Sequence, residues 1–323
     1  PAGYGIQITG PYYPNGFDLY TITPSMKTYV PLTDTWASIS GTNIPFTAGT
    51  AYMTFVRGDR TVNAFGQAAT STILRNRGPI ITGNQSAVTV GANKFAAINN
   101  PFASDINFKN VLKSNVDDKF YVWDPYLGTL GAYQTFIKNG SGDYEIVLGG
   151  GSYGSAGTVY NDIPNGQAFM VFATGTSGTL TLQENDKSVG VSMVSRENIN
   201  AATNPVKQLR TRLFGTNAEG TNLVDGVLNQ FDNEYSNEVD SKDALKGFSF
   251  GENLSLKTAN KLLVVDRRKE VVSTDTIYFN LSGTKAQQYK FQFIPSNLGT
   301  DGLTAFFQDS YLQTSTPLSL NDS

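Results

Sequence analysis

Short runs in which apolar and polar residues alternate dominate this sequence. Residues 289–293, Tyr-Lys-Phe-Gln-Phe, put the aromatic side chains on one face and the polar ones on the other, as in a half-buried strand. The same alternation recurs at 179–183 and 254–257, and dense apolar runs occupy 52–56 and 168–173. Gly, Asn, Asp and Pro, which favour turns, separate most of these runs. The pattern predicts an all-β fold with two β-sandwich-like domains.

Helical patterns are scarce, and only two short segments favour a helix. One begins at Ser104, a residue suited to an N-cap. Its apolar residues Ile106, Val111 and Leu112 have a spacing that would place them on one face of a helix. The other runs from Ser241 to Lys246, between Asp240 and Gly247. Both are too short for the crossover helices of an α/β fold. We therefore expect one or two very short helices.

A polar stretch that ends in Asn204-Pro205 indicates a domain boundary. It divides the chain into an N-terminal β-rich domain at 1–190, a linker at 191–205 and a C-terminal β-sandwich at 206–323. The chain begins at Pro1 without an initiator Met, as in a processed protein or an excised fragment. We expect the natural protein to continue past Ser323 and the second sandwich to be truncated, with one edge open to another chain.

Charge and composition exclude several classes of function. The formal net charge is −3 and no cluster of Lys and Arg could neutralise a run of phosphates, so no nucleic-acid partner is expected. No apolar run approaches the ~20 residues that a membrane helix requires, so no membrane insertion is expected. The chain has neither Cys nor His, which removes Ser-His-Asp and Cys-His catalysis and imidazole ligands for zinc.

The densest acidic stretch is a candidate calcium site. Calcium prefers six to eight oxygen ligands, and the carboxylates available here are those of Asp232, Glu234, Glu238, Asp240 and Asp243. The spacing lacks the central Gly and terminal Glu of an EF-hand. The alternative is a solvated loop leading into the second short helix.

Several aromatic residues are candidates for sugar stacking. Tyr12 and Tyr13, beside Pro11 and Pro14, and Tyr126 are the predicted carbohydrate-binding residues. Trp36 and Trp123 could also present flat rings, but Trp123 lies in a strand-like run and is expected to be buried. Aromatic residues of β proteins more often belong to the core, where each buries about 150–250 Å².

The tripeptide Arg57-Gly58-Asp59 matches the integrin-binding motif of animal extracellular proteins. Its flanks, Phe55-Val56 and Arg60-Thr61-Val62, have the pattern of two strands around a glycine turn. We therefore interpret it as a turn in which the two arginines pair with Asp59.

Four segments in order resemble surface proteins that Bacteroidota export by the type IX secretion system. Residues 97–108 resemble their "GNPY-(A/P)-S-x-I-(D/N)-(W/F)" segment, with departures at Asn99 and Phe102. The others are Phe55–Arg60 ("FVRGDR"), Phe120–Pro125 with Gly131–Tyr133 ("YVWDP…GGY"), and Gly166–Phe172 ("GQAFFV"). Residues 225–233, 243–246 and 288–291 resemble the sandwich that precedes the sorting domain in these proteins. The resemblance spans about Gly49 to Leu320.

The resemblance implies export, an extracellular or cell-surface location and a role in adhesion or gliding. It supplies no catalytic residue. We therefore expect a non-catalytic surface or adhesin module whose partners are the outer-membrane secretion machinery and surface polysaccharide or other surface proteins. One alternative is a carbohydrate-binding module of a secreted polysaccharide-degrading protein. The other is a glycoside hydrolase, which needs two carboxylates ~5–10 Å apart in a cleft.

Overall fold

The protein is almost entirely β, which confirms the predicted fold class. The computed structural model describes residues 5–11, 13–47, 49–62, 64, 66–74, 78–128, 130–188, 206–218, 220–247, 249–299 and 302–321. The predicted linker at 191–205 lies outside these residues. Helix occurs within them only as two single 3-10 turns, Tyr13–Asn15 and Glu184–Asp186.

The described residues form twenty-six strands, numbered in chain order. The first nine are β1 Thr9–Gly10, β2 Leu19–Tyr20, β3 Met26–Val30, β4 Thr35–Ser38, β5 Tyr52–Thr54, β6 Val88–Val90, β7 Lys94–Asn99, β8 Ile106–Asn107 and β9 Leu112–Ser114. The next eight are β10 Lys119–Asp124, β11 Ala132–Lys138, β12 Tyr144–Ile146, β13 Gly149–Gly150, β14 Tyr153–Ser155, β15 Asp162–Ile163, β16 Ala168–Ala173 and β17 Gly178–Thr181. The last nine are β18 Lys207–Asn217, β19 Gly220–Phe231, β20 Ala244–Leu245, β21 Asn253–Thr258, β22 Lys261–Arg268, β23 Phe279–Ser282, β24 Gln288–Ser296, β25 Ala305–Asp309 and β26 Thr314–Leu318.

The chain divides into two compact units, and the division differs from the predicted one in a single segment. The first unit comprises 1–116 and 163–190, and the second comprises 117–162 and 191–323. Residues 117–162 therefore group with the C-terminal part of the chain. Long-range hydrogen bonds explain this grouping: Lys119 Nζ donates to the main-chain oxygen of Ser241 at 2.7 Å, and Arg267 Nη2 to that of Lys138 at 2.9 Å.

The first unit contains several small antiparallel sheets. Strand β3 lies between β4 and β5, β17 lies between β6 and β9, and β16 pairs with β7. The dense apolar run at 168–173 corresponds to β16, and the alternation at 179–183 begins in β17. The largest fully buried side chains of the first unit include Ile98, Phe102, Ile106, Phe108 and Phe169.

A buried asparagine organises the segment 97–108. Asn100 Nδ2 donates to the main-chain oxygens of Ser104 (2.9 Å), Ile163 (3.1 Å) and Pro164 (3.1 Å), and its Oδ1 accepts from Phe102 N at 3.1 Å. A buried amide must find such partners, because an unpaired one costs about 1–3 kcal/mol. Asn100 therefore links the segment 97–108 to residues 163–164 within this unit.

The second unit contains the larger sheet. Its strands follow the order β23-β21-β22-β19-β18-β24, with β20 also paired to β22. All pairs are antiparallel except β19 with β22. Strands β12, β11 and β10 are adjacent in that order, and β25 pairs with β26. Strand β24 is at an edge of the large sheet, and the described residues pair it only with β18. The apolar core of the second unit includes Leu213, Val227, Leu254, Leu256 and Leu263.

Both predicted helices are wrong. The segment 104–112 forms β8, a turn and the start of β9, because Asn107 Oδ1 accepts from Lys109 N at 3.0 Å and Ser188 N donates to Asp105 O. The segment 241–246 forms a turn followed by β20. There Lys246 N donates to Leu262 O at 2.9 Å, a cross-strand bond that replaces the helical one.

Among the described residues, no helix has both the length and the apolar character needed to span a bilayer.

Candidate functional site

The five predicted calcium ligands lie on the connection between β19 and β20. Three of the carboxylates already accept main-chain hydrogen bonds. Asp232 Oδ1 accepts from Glu234 N (2.9 Å) and Asp240 Oδ1 from Lys242 N (2.7 Å), while Asp243 accepts from Arg267 N (2.7 Å) and Asp240 N (2.8 Å). Glu234 and Glu238 are exposed. Across the described ranges, no three acidic side chains converge closely enough to hold a metal ion. Calcium binding stays a prediction.

A lysine side chain holds this connection in place. Lys119, on β10, is buried, and its Nζ pairs with Asp117 Oδ2 at 3.0 Å while donating to the main-chain oxygens of Ser241 and Asp243. Burial raises the pKa of Asp243 to about 6, and Asp266 and Asp240 add to the rise. The ammonium group thus binds two main-chain oxygens of the connection.

The predicted aromatic residues have different environments. Tyr12 lies outside the described residues, and of Tyr13 only the backbone is described, at the start of a 3-10 turn. Trp36 packs edge-on against Tyr29, with ring centroids 5.4 Å apart. Tyr126 is 78% exposed, in the loop that joins β10 to β11. It is therefore available for stacking.

Aromatic residues that were not predicted from the sequence gather beside this loop. Tyr133 is the cross-strand neighbour of Trp123, with ring centroids 5.0 Å apart, and Phe250 lies 5.2 Å from Trp123 and is 62% exposed. Trp123 is half-buried rather than buried. We call Trp123, Tyr126, Tyr133 and Phe250 the aromatic platform, in which the Tyr133 and Phe250 rings are inclined to the indole by 81° and 60°. The signal for Phe250 is its position in a Ser-Phe-Gly turn, where a core aromatic residue is not expected.

The chain approaches Trp123 closely at Gly131. This glycine has φ +83°, and an added Cβ would lie 2.6 Å from the indole Cζ2. Only glycine fits there, because a side chain would displace the indole ring and strain the backbone. The missing side chain at Gly131 therefore leaves room for the Trp123 ring.

A buried carboxylate fixes the loop that carries Tyr126. Asp124 Oδ1 accepts from Tyr126 N (3.0 Å) and Ser152 Oγ (2.7 Å), and its Oδ2 accepts from Ser152 N (2.9 Å) and Gln134 Nε2 (3.2 Å). Hydrogen bonds to a charged group are about twice as strong as neutral ones. The four bonds hold the Tyr126 backbone in one geometry.

The Arg57-Gly58-Asp59 segment is irregular rather than a turn between two strands. Strand β5 ends at Thr54, and Asp59 forms an isolated bridge with Ile6. The predicted pairing of Arg60 with Asp59 is wrong, because Arg60 Nε donates to Asp18 Oδ1 at 2.7 Å. Asp59 Oδ1 instead accepts from the Thr61 hydroxyl and from Thr61 N (2.8 Å), and these two bonds lower the pKa of Asp59.

Comparison with protein families, with curated proteins and with solved structures finds no match to this chain.

Proposed function

We propose that this chain is a non-catalytic adhesive module of the bacterial cell surface that binds surface polysaccharide through the aromatic platform. The observation that carries the proposal is the exposure of the Tyr126 and Phe250 side chains. Asp124 holds the backbone of Tyr126, and Phe250 packs against Trp123. The proposed location and export, by the type IX machinery of the outer membrane, rest on the four ordered segments that resemble such proteins.

Rigidity is what makes the platform suitable for recognition. Rings that are held before binding lose little conformational entropy when a ligand docks. Asp124 holds the backbone of Tyr126, and the indole ring of Trp123 packs against Tyr133 and Phe250. The apolar faces of pyranose rings stack on such aromatic surfaces.

The carboxylate nearest in sequence to the platform does not favour a hydrolase. Asp124 is fully buried, and both of its oxygens accept two hydrogen bonds. A catalytic acid must be able to reach and protonate a glycosidic oxygen. We propose binding without hydrolysis for this reason.

Removing the exposed rings tests the proposal. Tyr126→Ala combined with Phe250→Ala is expected to weaken binding to purified surface polysaccharides by about tenfold, since each stacked ring contributes about 0.5–1.5 kcal/mol. Binding is measured on a glycan array and by calorimetry. Tyr311→Ala is the matched control, because Tyr311 is 92% exposed on the β25–β26 connection.

Two results would contradict the proposal. One is polysaccharide binding that the double variant retains in full. The other is a folded wild-type chain that binds no surface polysaccharide in the array.

A further inference from the structure

A polar pocket opens on the second unit where β18 and β19 meet, next to the segment that precedes β24. Its volume is ≈ 420 Å³, within the range of about 300–1,000 Å³ that is typical of small-molecule sites. Its polar lining consists of Thr216, Asn217, Asn222, Glu252, Lys285 and Gln287. No sequence motif indicated it, because these residues come from four separate stretches of the chain.

The charges in the pocket compensate each other. The Glu252 side chain is almost completely buried, and its Oε1 accepts from Gln287 Nε2 at 2.8 Å and from the Tyr289 hydroxyl at 3.2 Å. Lys285 Nζ lies 3.7 Å from Glu252 Oε2. A charged ligand would have to separate this pair, whereas a neutral ligand can leave it intact. The pocket therefore favours a neutral ligand.

The polar side chains that line the pocket can form hydrogen bonds with hydroxyl groups. Amide side chains such as Asn222 and Gln287 both donate and accept hydrogen bonds, and a carboxylate accepts them. A sugar hydroxyl also donates and accepts, so it can satisfy either kind of group. Apolar residues, among them Ala218, Val224 and Ala286, also line the pocket, and they can contact the C–H groups of a sugar ring.

We propose that this pocket binds one neutral, hydroxyl-rich sugar unit, with Glu252 and Gln287 contacting adjacent hydroxyls. Gly128 lines the pocket and follows Tyr126 by two residues, so the platform loop also forms part of the pocket wall. The inference rests on the proposed adhesive function, which supplies the glycan. It adds a site for a single sugar unit, formed by residues outside the platform.

An NMR chemical-shift titration of the whole chain with methyl glycosides of glucose, galactose and mannose tests the site. We expect binding of at least one glycoside with a Kd in the millimolar range, with shifts centred on Asn222 and Gln287. Asn222→Ala removes one amide and Ala286→Trp fills the opening, and each is expected to raise that Kd about tenfold. Glu252→Gln retains the shape but removes the charge, and is expected to weaken binding similarly.

Tyr311→Ala, remote in sequence from every lining residue, is the control and is expected to keep the wild-type Kd. Thermal unfolding verifies that each variant is folded, and Asn222, which is exposed, is the substitution least able to disturb the fold. Glycoside binding that survives both Asn222→Ala and Ala286→Trp would overturn the inference.

Three further results separate this inference from the proposed function. If no methyl glycoside binds but polysaccharide binding still depends on Tyr126, the pocket inference fails and the adhesive function stands. If neither binds, both fail. If the zwitterions glycine and glutamine shift the Asn222 and Gln287 signals and the glycosides do not, the pocket is an amino-acid site and the sugar inference is wrong.

Discussion

At the scale of single residues, one buried ion pair anchors the core of the second unit. Lys246 Nζ lies 2.6 Å from both oxygens of Asp225, and these oxygens also accept from Gly226 N (2.8 Å) and Leu254 N (2.7 Å). Both side chains are buried. Each carboxylate oxygen of Asp225 therefore accepts two hydrogen bonds, and such pairing is the condition under which buried charges are tolerated.

Breaking this pair is expected to be costly. Lys246→Met leaves a buried carboxylate without its cation, so the free energy of unfolding should fall by about 3–5 kcal/mol. Urea denaturation measures the change. Lys138→Met is the control, because Lys138 pairs with Asp118 on the surface and such pairs contribute at most about 1 kcal/mol. Equal losses in the two variants would show that the buried pair has no special role.

At the scale of elements, the β10–β11 hairpin depends on a contact with the loop that follows β13. Gly151 has φ +61°, and a Cβ added there would lie 2.2 Å from Asp124 Oδ2. Because Asp124 also binds the Tyr126 backbone, the packing at Gly151 bears on the position of the platform. We therefore expect a substitution at Gly151 to alter the position of the β10–β11 loop as well.

Gly151→Ala is expected to lower the free energy of unfolding by about 2 kcal/mol or more, through backbone strain and the clash with Asp124. Gly157→Ala is a matched control, since Gly157 has φ +85° but open space around its Cα. The free energy of unfolding of Gly157→Ala should fall only by the cost of a left-handed backbone, about 1–2 kcal/mol. Thermal unfolding of both variants compares them, and a Gly157→Ala loss as large as that of Gly151→Ala would refute the clash.

The elements also show where local pattern and long-range contacts disagree. The strands predicted from alternation at 254–257 and 289–293 correspond to β21 and β24, because the period of two is a local property of the chain. The helix predicted at 241–246 is wrong because Lys119, more than a hundred residues away, binds the main-chain oxygens of Ser241 and Asp243. No local pattern contains that contact.

At the scale of the whole molecule, calcium dependence is the property to measure. If the β19–β20 connection binds calcium through Asp232, Glu234 and Glu238, the ion stabilises the folded state and should raise Tm as its concentration rises. The rise should disappear in a variant that combines Asp232→Asn with Glu238→Gln. Identical melting with calcium and with a chelator would identify the connection as a solvated loop held by the chain's own hydrogen bonds, those of Lys119 and Arg267 among them.

The sequence by itself determined the all-β class, because alternation and turn residues act over a few positions. The tertiary structure alone decided which charges are paired, that Trp123 is only half-buried, and that Phe250 joins it. It also decided the grouping of 117–162 with the C-terminal strands and the assembly of the polar pocket. These features depend on residues far apart in the chain, whose proximity is set by sheet pairing and by the burial of polar groups that must find partners.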